Sequence, residues 1–388
     1  MGGDHRTHGL VKEFPAAGDT VIRYCQGGSP AMYRSLDLRR RVEIAEGYEE
    51  RRHLHPLHEL TKAQMLLGYP NLFAGESLRF ANDGLPQMLS EADVVMVREP
   101  WQMPFVLNRT PEKTPIVFSS HNVETERFGD IEQPVFKEWT EQRVAILERR
   151  AVEKSDAIIC TSNRDKETYN ELYDLGGPAI VAPNGTYKDD LRDHRPDSES
   201  ARVIRRRYGI TPDETVCLFM GSNYQPNVDA AKAAIDVMRT ANNSGKQVHL
   251  LILGSVGNAF DGSDLPPNVT TTGFVEDGFE SHFDAADIAL NPMRTGGGTN
   301  IKLIDYMARS LPIISTPFGV RGLDVVDGEH LVVAELDAYL DTIMRLRNDP
   351  ERRHKLGSAA RDIAAANYTW EFASRHIRKQ LVDRFGPF

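Results

Sequence analysis

No apolar run in this 388-residue chain approaches the roughly 20 residues needed to cross a bilayer, and its polar start, MGGDHRTH, lacks the apolar core of a signal segment. Cysteine is scarce. Cys25, Cys160 and Cys217 are far apart, odd in number and form no C-x-x-C, so neither a disulfide framework nor a zinc cluster is indicated. A cytoplasmic protein in a reducing compartment is the expectation. Lysine is scarce too, with 12 against 34 arginines, and the net charge is −10. An acidic chain of this kind is not a general nucleic-acid binder, since a polyanion would be repelled.

What is present is an ordinary globular composition, 40% hydrophobic and 26% charged, over a length that accommodates two domains with their own cores. A helix-like stretch at residues 5–14 and a strand-like run at 20–25 open the chain. Apolar runs of strand length then recur at 94–97, 116–119, 157–160 and 179–182, with a long amphipathic stretch at 135–155 between two of them. This alternation predicts an α/β domain with a parallel sheet and helices on both faces. Pro183-Asn184-Gly185 groups strong turn formers, and the acidic, arginine-rich stretch 188–200 has no apolar periodicity, so a domain boundary is expected there. A second series follows at 216–220, 248–253, 269–272, 288–291, 313–315 and 331–333, and the architecture is therefore expected twice. A doubly wound domain usually opens with a buried strand that runs into a glycine loop, whereas here Gly2-Gly3 comes first. A start assigned downstream of the true one, with the first strand lost, is the expectation.

The most informative stretch is 294–308, RTGGGTNIKLIDYMA, where three glycines lead into an apolar-periodic helix. Gly296, Gly297 and Gly298 let the backbone come close to a ligand, and Thr299 or Asn300 is placed to cap the helix that begins near Ile301. Helix N-termini carry free N–H groups and partial positive charge. With Arg294 before the loop and Lys302 in the first turn, several donors would hold one anion, and the stretch reads as a diphosphate seat.

Elsewhere, His121 and Glu124 follow one strand-like run and Glu99 another, where ligands bind in doubly wound sheets. Residues 32–62 are polar and arginine-dense, with Arg39-Arg40-Arg41 and Arg51-Arg52 interleaved with acids, and read either as a solvated helical face or as a basic patch toward an anionic lipid or lipid-phosphate acceptor. His53, His55 and His58 invite a metal reading, but Pro56 interrupts helical spacing and no carboxylate pattern completes a site; no metal is expected. Gly254-Ser255-Val256-Gly257 lacks the third glycine of a dinucleotide fingerprint and reads as a strand-to-loop turn. The tail 369–382 is amphipathic, with Trp370, Phe372, Ala373, Ile377 and Leu381 available for one face.

Residues 291–323, NPMRTGGGTNIKLIDYMARSLPIISTPFGVRGL, resemble the donor-binding segment of family 4 glycosyltransferases, retaining nucleotide-sugar enzymes of the GT-B fold, in the subgroup with a GGGT loop. Further similarities lie at Ser120-His121-Asn122-Val123-Glu124, at Ala182-Pro183-Asn184-Gly185, and at Gly221-Ser222 followed by Pro226-Asn227-Val228-Asp229-Ala230. They fall in family order. The resemblance implies two doubly wound Rossmann-like domains facing across a cleft: an acceptor-side domain at 1–184, a nucleotide-sugar domain at 185–368, and a helix at 369–388 crossing back to the first. It implies a hexose-type sugar moved from a nucleotide-diphosphate donor to a hydroxyl of a glycan or lipid-linked acceptor, without a metal or cofactor and with peripheral membrane contact.

Arg294, Lys302 and His121 would carry catalysis, His121 beside the donor sugar. Gly221, Ser222, Gly296, Gly297, Gly298, Thr299, Asn300, Ile301 and Asp305 would bind the donor, and Glu99 and Glu124 would lie on the acceptor side. Two departures stand out. The family's pair of glutamates is replaced by Gly297 and Asp305, and the arginine that often follows Gly221 is replaced by Ser222-Asn223, leaving Arg294 to substitute. A non-catalytic subunit that binds nucleotide or a partner, a nucleotide-sugar epimerase, and an NAD-dependent oxidoreductase are the alternatives.

Overall fold

The structure, a computed structural model, describes residues 2–28, 30–62, 69–81, 84–129, 136–276 and 278–388. It divides into two compact units, Met1–Pro183 with Glu371–Phe388, and Asn184–Trp370.

The first unit opens with α1 (Gly2–Val11) and a three-stranded sheet of β1 (Val21–Gln26), β2 (Arg41–Ala45) and β3 (Tyr48–His53), ordered β1-β3-β2. β1 runs into a glycine pair, Gly27-Gly28, with Gly27 at φ 74°. A second sheet follows in simple order, β4 (Val95–Val97), β5 (Ile116–Ser119), β6 (Ala157–Cys160) and β7 (Ala179–Val181), all parallel. Every residue of β5 and β6 is buried, as continuous apolar runs in a parallel sheet require. Helices α2 (Glu124–Gly129), α3 (Lys137–Glu153) and α4 (Asn163–Leu172) belong to this unit, and α3 lies within the expected amphipathic stretch, whose first residue, 135, is outside the described residues. α4 starts where the Ser162 hydroxyl accepts from the Asp165 amide at 3.1 Å.

Residues 41–53 correct the helical reading of the arginine-dense stretch, because they form the antiparallel pair β2–β3. Its arginines pair with acids mostly two residues away along the chain, and one pair crosses between the strands. Arg39 is 2.7 Å from Asp37, Arg51 2.6 Å and Arg41 4.0 Å from Glu49, and Arg52 2.7 Å from Glu50. Each of these four arginines thus has an acid beside it, which reduces the basic patch the sequence implied. The three histidines face packing partners: the His53 ring lies 5.7 Å from His55, His55 lies 5.4 Å from Phe80, and His58 Nδ1 is 3.0 Å from Ser77 Oγ.

The second unit is a six-stranded parallel sheet of β8 (Thr215–Met220), β9 (Val248–Leu253), β10 (Val269–Thr271), β11 (Ile288–Asn291), β12 (Ile313–Ser315) and β13 (Val332–Val333). Its order is β10-β9-β8-β11-β12-β13. The chain winds outward from β8 through β9 to β10, then returns to β11 on the other side of β8. Strand order therefore reverses between β8 and β11. Helix α5 (Gln225–Asn243) follows β8 and α6 (Ile301–Ala308) follows β11. Side chains alternate along β8, so Cys217 and Phe219 join a core with Ala231, Ala234 and Met238 of α5, while Val216 and Leu218 join another with Leu303, Ile304 and Met307 of α6.

The last helix, α7 (Trp370–Phe385), buries Trp370, Ala373, Ile377 and Leu381. Phe372, expected on the same face, is 38% exposed, because two residues from Trp370 is more than half a turn round the helix. Within the first unit, Arg378 forks onto Asp19 at 2.5 and 2.8 Å, and the Glu13 amide donates to Ser374 Oγ at 2.9 Å.

Gly254, just after β9, is at φ 99°, and a Cβ there would lie 2.5 Å from the Gly221 carbonyl oxygen. That carbonyl also accepts from the Val256 amide at 3.1 Å, so the turn after β9 supports the loop after β8. Gly254→Ala combines left-handed strain with a backbone clash and is expected to cost about 2–4 kcal/mol by urea unfolding of the second unit. A cost below about 0.5 kcal/mol would show that the two loops are not coupled.

Candidate functional site

The reversal between β8 and β11 opens a crevice at the carboxyl ends of those strands, where doubly wound sheets bind ligands. Gly221-Ser222 follow β8, and the glycine loop follows β11, so chain topology alone brings the two sequence motifs together. Side chains close the connection. Lys302 Nζ donates to Asn227 Oδ1 at 2.7 Å, and Asn227 Nδ2 donates to the Ser222 carbonyl at 3.1 Å. The ammonium also lies 3.4 Å from Met293 Sδ and 4.5 Å from the centre of the Phe219 ring. Its described partners are an amide oxygen, a thioether and a ring, with no carboxylate among them. Burial lowers the Lys302 pKa from 10.5 to about 7.

The glycine loop keeps its own donors available. Gly296 is at φ 130° and Gly298 at φ 60°, conformations open to glycine. Arg294 and Gly297 are exposed. The expected side-chain cap is not made: Asn300 stands at the cap position of α6, but its amide donates to the Gly319 carbonyl at 2.8 Å, and Thr299 Oγ1 accepts from Asn184 Nδ2 at 2.8 Å. Both side chains are held by neighbouring segments, so the first turn of α6, with Ile301 and Lys302, has no side-chain cap.

Asp305 lies one turn further along α6. Its carboxylate is 3.7 Å from Arg309, whose guanidinium is held by Glu280 at 2.6 Å and Asp190 at 3.4 Å. Burial pushes the Asp305 carboxyl up to about 7, Asp190 and Glu280 add repulsion, and Arg309 opposes both. The sequence motifs named Asp305 but gave no sign of this network.

In the first unit Glu99 follows β4, and His121 and Glu124 follow β5, so neighbouring strands bring these three together. Arg98 pairs with Glu99 at 2.7 Å, Trp101 Nε1 donates to Glu99 at 2.9 Å, and Arg127 pairs with Glu124 at 3.1 Å. Burial, then the charges of Arg98, Arg6 and Arg127, push the His121 pKa well below 6.5, so the imidazole is neutral. Burial chiefly raises Glu124 to about 7. The segment is fixed by Glu148 of α3, which the sequence did not single out. Its carboxylate accepts from the Glu124 amide at 2.6 Å and the Thr125 amide at 3.0 Å, capping α2 from a distant helix. Tyr169 completes the clamp, with its hydroxyl 2.7 Å from Ser120 Oγ and 3.1 Å from Glu148.

With both sites described, the family comparison is direct. The glycosyltransferase family 4 profile matches residues 2–190 and the glycosyl transferases group 1 profile matches residues 214–349. Together they span most of the chain, which belongs to the family 4 glycosyltransferases. The fold is GT-B: sucrose-phosphate synthase from Thermosynechococcus elongatus superposes with a TM-score of 0.73 at 17% identity, over 98% of this chain and 92% of that one. By sequence the chain is similar to alpha-D-kanosaminyltransferase of Streptomyces kanamyceticus, 23% identical over 258 residues, covering 63% of this chain and 64% of that protein. It is also similar to a GDP-mannose-dependent monoacylated alpha-(1-6)-phosphatidylinositol monomannoside mannosyltransferase of Corynebacterium glutamicum, 26% identical over 214 residues, 51% of this chain and 55% of that protein. The matches thus span less than two thirds of these two relatives. No helix among the described residues is long and apolar enough to cross a membrane.

The low Lys302 pKa sets a pH test. An anion binds the ammonium form, so nucleoside-diphosphate affinity is expected to fall as pH rises above about 7, by up to roughly tenfold per unit, and Lys302→Arg should flatten that profile. For the unliganded protein the sign is opposite. The unfolded chain holds more protons at this group between about 7 and 10.5, so its contribution makes stability rise with pH there. Calorimetric titration from pH 6 to 9 checks the first statement; a profile identical in wild type and Lys302→Arg would contradict it.

Proposed function

We propose that this chain is a retaining glycosyltransferase that moves a hexose-type sugar from a nucleotide-diphosphate donor to a hydroxyl of a glycan or lipid-linked acceptor. The observation that carries the proposal is the Lys302 ammonium at the β8/β11 reversal, set beside an uncapped helix start and a glycine loop, with no carboxylate among its described partners. Such a site is short of negative charge, and a diphosphate supplies it. Relatives named as kanosaminyl- and mannosyltransferases support a hexose-type donor, and a relative named for a phosphatidylinositol mannoside supports a lipid-linked acceptor.

In the proposed reaction the bond from the sugar's anomeric carbon to the diphosphate oxygen breaks, and a bond to the acceptor oxygen forms on the same face. The acceptor proton passes to the departing phosphate, so no protein nucleophile is invoked. Arg294, Lys302 and the amides of the loop stabilise the leaving charge. Asp305 takes the ribose hydroxyls. In the first unit, neutral His121 offers a hydrogen bond to a sugar hydroxyl, and Glu99 and Glu124 serve the acceptor side.

A second reading is favoured by one feature. Gly297 stands where the wider family has a glutamate on the donor sugar, which fits a subunit that binds nucleotide without turnover. Incubation with a panel of nucleotide sugars and hydroxyl acceptors separates the readings. Nucleoside diphosphate and a glycoside of retained configuration are expected, and binding without product would favour the second. Because cations and amides already meet the diphosphate, turnover should survive EDTA; loss restored by Mg²⁺ or Mn²⁺ would contradict that. Lys302→Ala should lower kcat by about 10²–10³ with little change in donor KM, while kcat within twofold of wild type would remove the diphosphate from this loop.

A further inference from the structure

The loop after β12, residues 316–322, runs beside the glycine loop that follows the neighbouring strand β11. Three hydrogen bonds join them. Thr316 Oγ1 donates to the Met293 carbonyl, Asn300 Nδ2 donates to the Gly319 carbonyl at 2.8 Å, and Arg321 Nη2 donates to the Gly296 carbonyl at 2.7 Å. The Arg321 guanidinium also lies 3.8 Å from the centre of the Phe318 ring and donates from Nη1 to the Phe318 carbonyl at 3.1 Å. A planar group stacked on one face and bonded at two nitrogens has a fixed direction.

An amide-lined anion site works only when loop carbonyls point away from the anion and N–H groups point toward it. The peptide joining Gly296 to Gly297 is planar and trans, so its carbonyl oxygen and its N–H lie on opposite sides. Turning the Gly296 oxygen to Arg321 therefore turns the Gly297 N–H the other way. Glycine stands on both sides of that peptide, so no Cβ restricts its rotation, and a loop of three glycines has no side chains to stop it.

We propose that Arg321 is a positioning residue of the diphosphate seat: by holding the Gly296 carbonyl it aims the Gly297 N–H at the leaving diphosphate. This rests on the donor-site reading above. Arg321 acts through the backbone and its described contacts are with loop residues, so its removal is expected to change recognition of phosphate while leaving nucleoside recognition and folding in place.

The test uses the full chain and the best binder among UDP, GDP, ADP and dTDP, with the matching nucleoside as the comparison ligand. Arg321→Ala should bind the diphosphate about tenfold or more weakly, bind the nucleoside within about twofold of wild type, and keep its unfolding midpoint. Arg321→Lys, which can reach one carbonyl but cannot reproduce the stacked fork, should recover only part. Diphosphate affinity within twofold of wild type in Arg321→Ala would overturn the proposal, as would equal weakening for nucleoside and diphosphate. If Arg321→Ala does not fold, Arg321→Lys carries the test: a diphosphate-specific weakening of about threefold supports the proposal and none overturns it. A wild-type protein that binds no nucleoside diphosphate would overturn the donor-site reading itself, and this proposal with it.

Discussion

The second unit is built around an ammonium that its described surroundings do not neutralise. Lys302 sits between an amide oxygen, a thioether and an aromatic face, each of which solvates a cation weakly compared with a carboxylate. The position follows from packing. Leu303, Ile304 and Met307 bury one side of α6 against the sheet, which turns Lys302 toward Phe219 of β8 and the start of α5. The far end of α6 is anchored by Arg309, whose ties to Glu280, Asp190 and Asp305 keep the helix from tilting away from the crevice. One helix thus carries a cation paired with carboxylates at its end and, at its start, one with no carboxylate among its described partners.

The first unit uses charge in the opposite way. Its buried Glu148 is surrounded by donors from α2, Tyr169 and Tyr173, so a group that burial alone would penalise becomes the clamp for the His121 segment. His121 is kept neutral by burial and three arginines. A neutral imidazole can donate from one nitrogen and accept at the other, which suits hydroxyl recognition better than a fixed positive charge.

Much of this was readable in the residues. The runs AIIC of β6 and, His249 apart, VHLLIL of β9 are apolar, and the structure makes both fully buried parallel strands. The glycine loop and the GT-B fold were legible for the same reason: their signals are local and contiguous. The hairpin at 41–53 was not, because YEERRH shows no apolar alternation and the Val42/Ile44 alternation of RVEIA is confined to five residues inside an arginine-dense stretch. Asn227 and Arg321 lay inside the resembling stretches but carried no role there, because their partners lie 75 and 25 residues away. The capping roles given to Thr299 and Asn300 failed on the same ground. Local spacing placed them well, but more distant partners, Asn184 and Gly319, took their side chains.

The central claim is that the start of α6 and the loop before it form a seat for diphosphate. A crystal structure with a bound nucleoside diphosphate at about pH 6.5 tests it most directly. The account predicts phosphate oxygens about 2.7–3.2 Å from Lys302 Nζ and from the Gly297 and Gly298 amides, with the Gly296 carbonyl still on Arg321. An ordered diphosphate bound elsewhere, with Lys302 still on Asn227 and the glycine loop without a ligand, would contradict it.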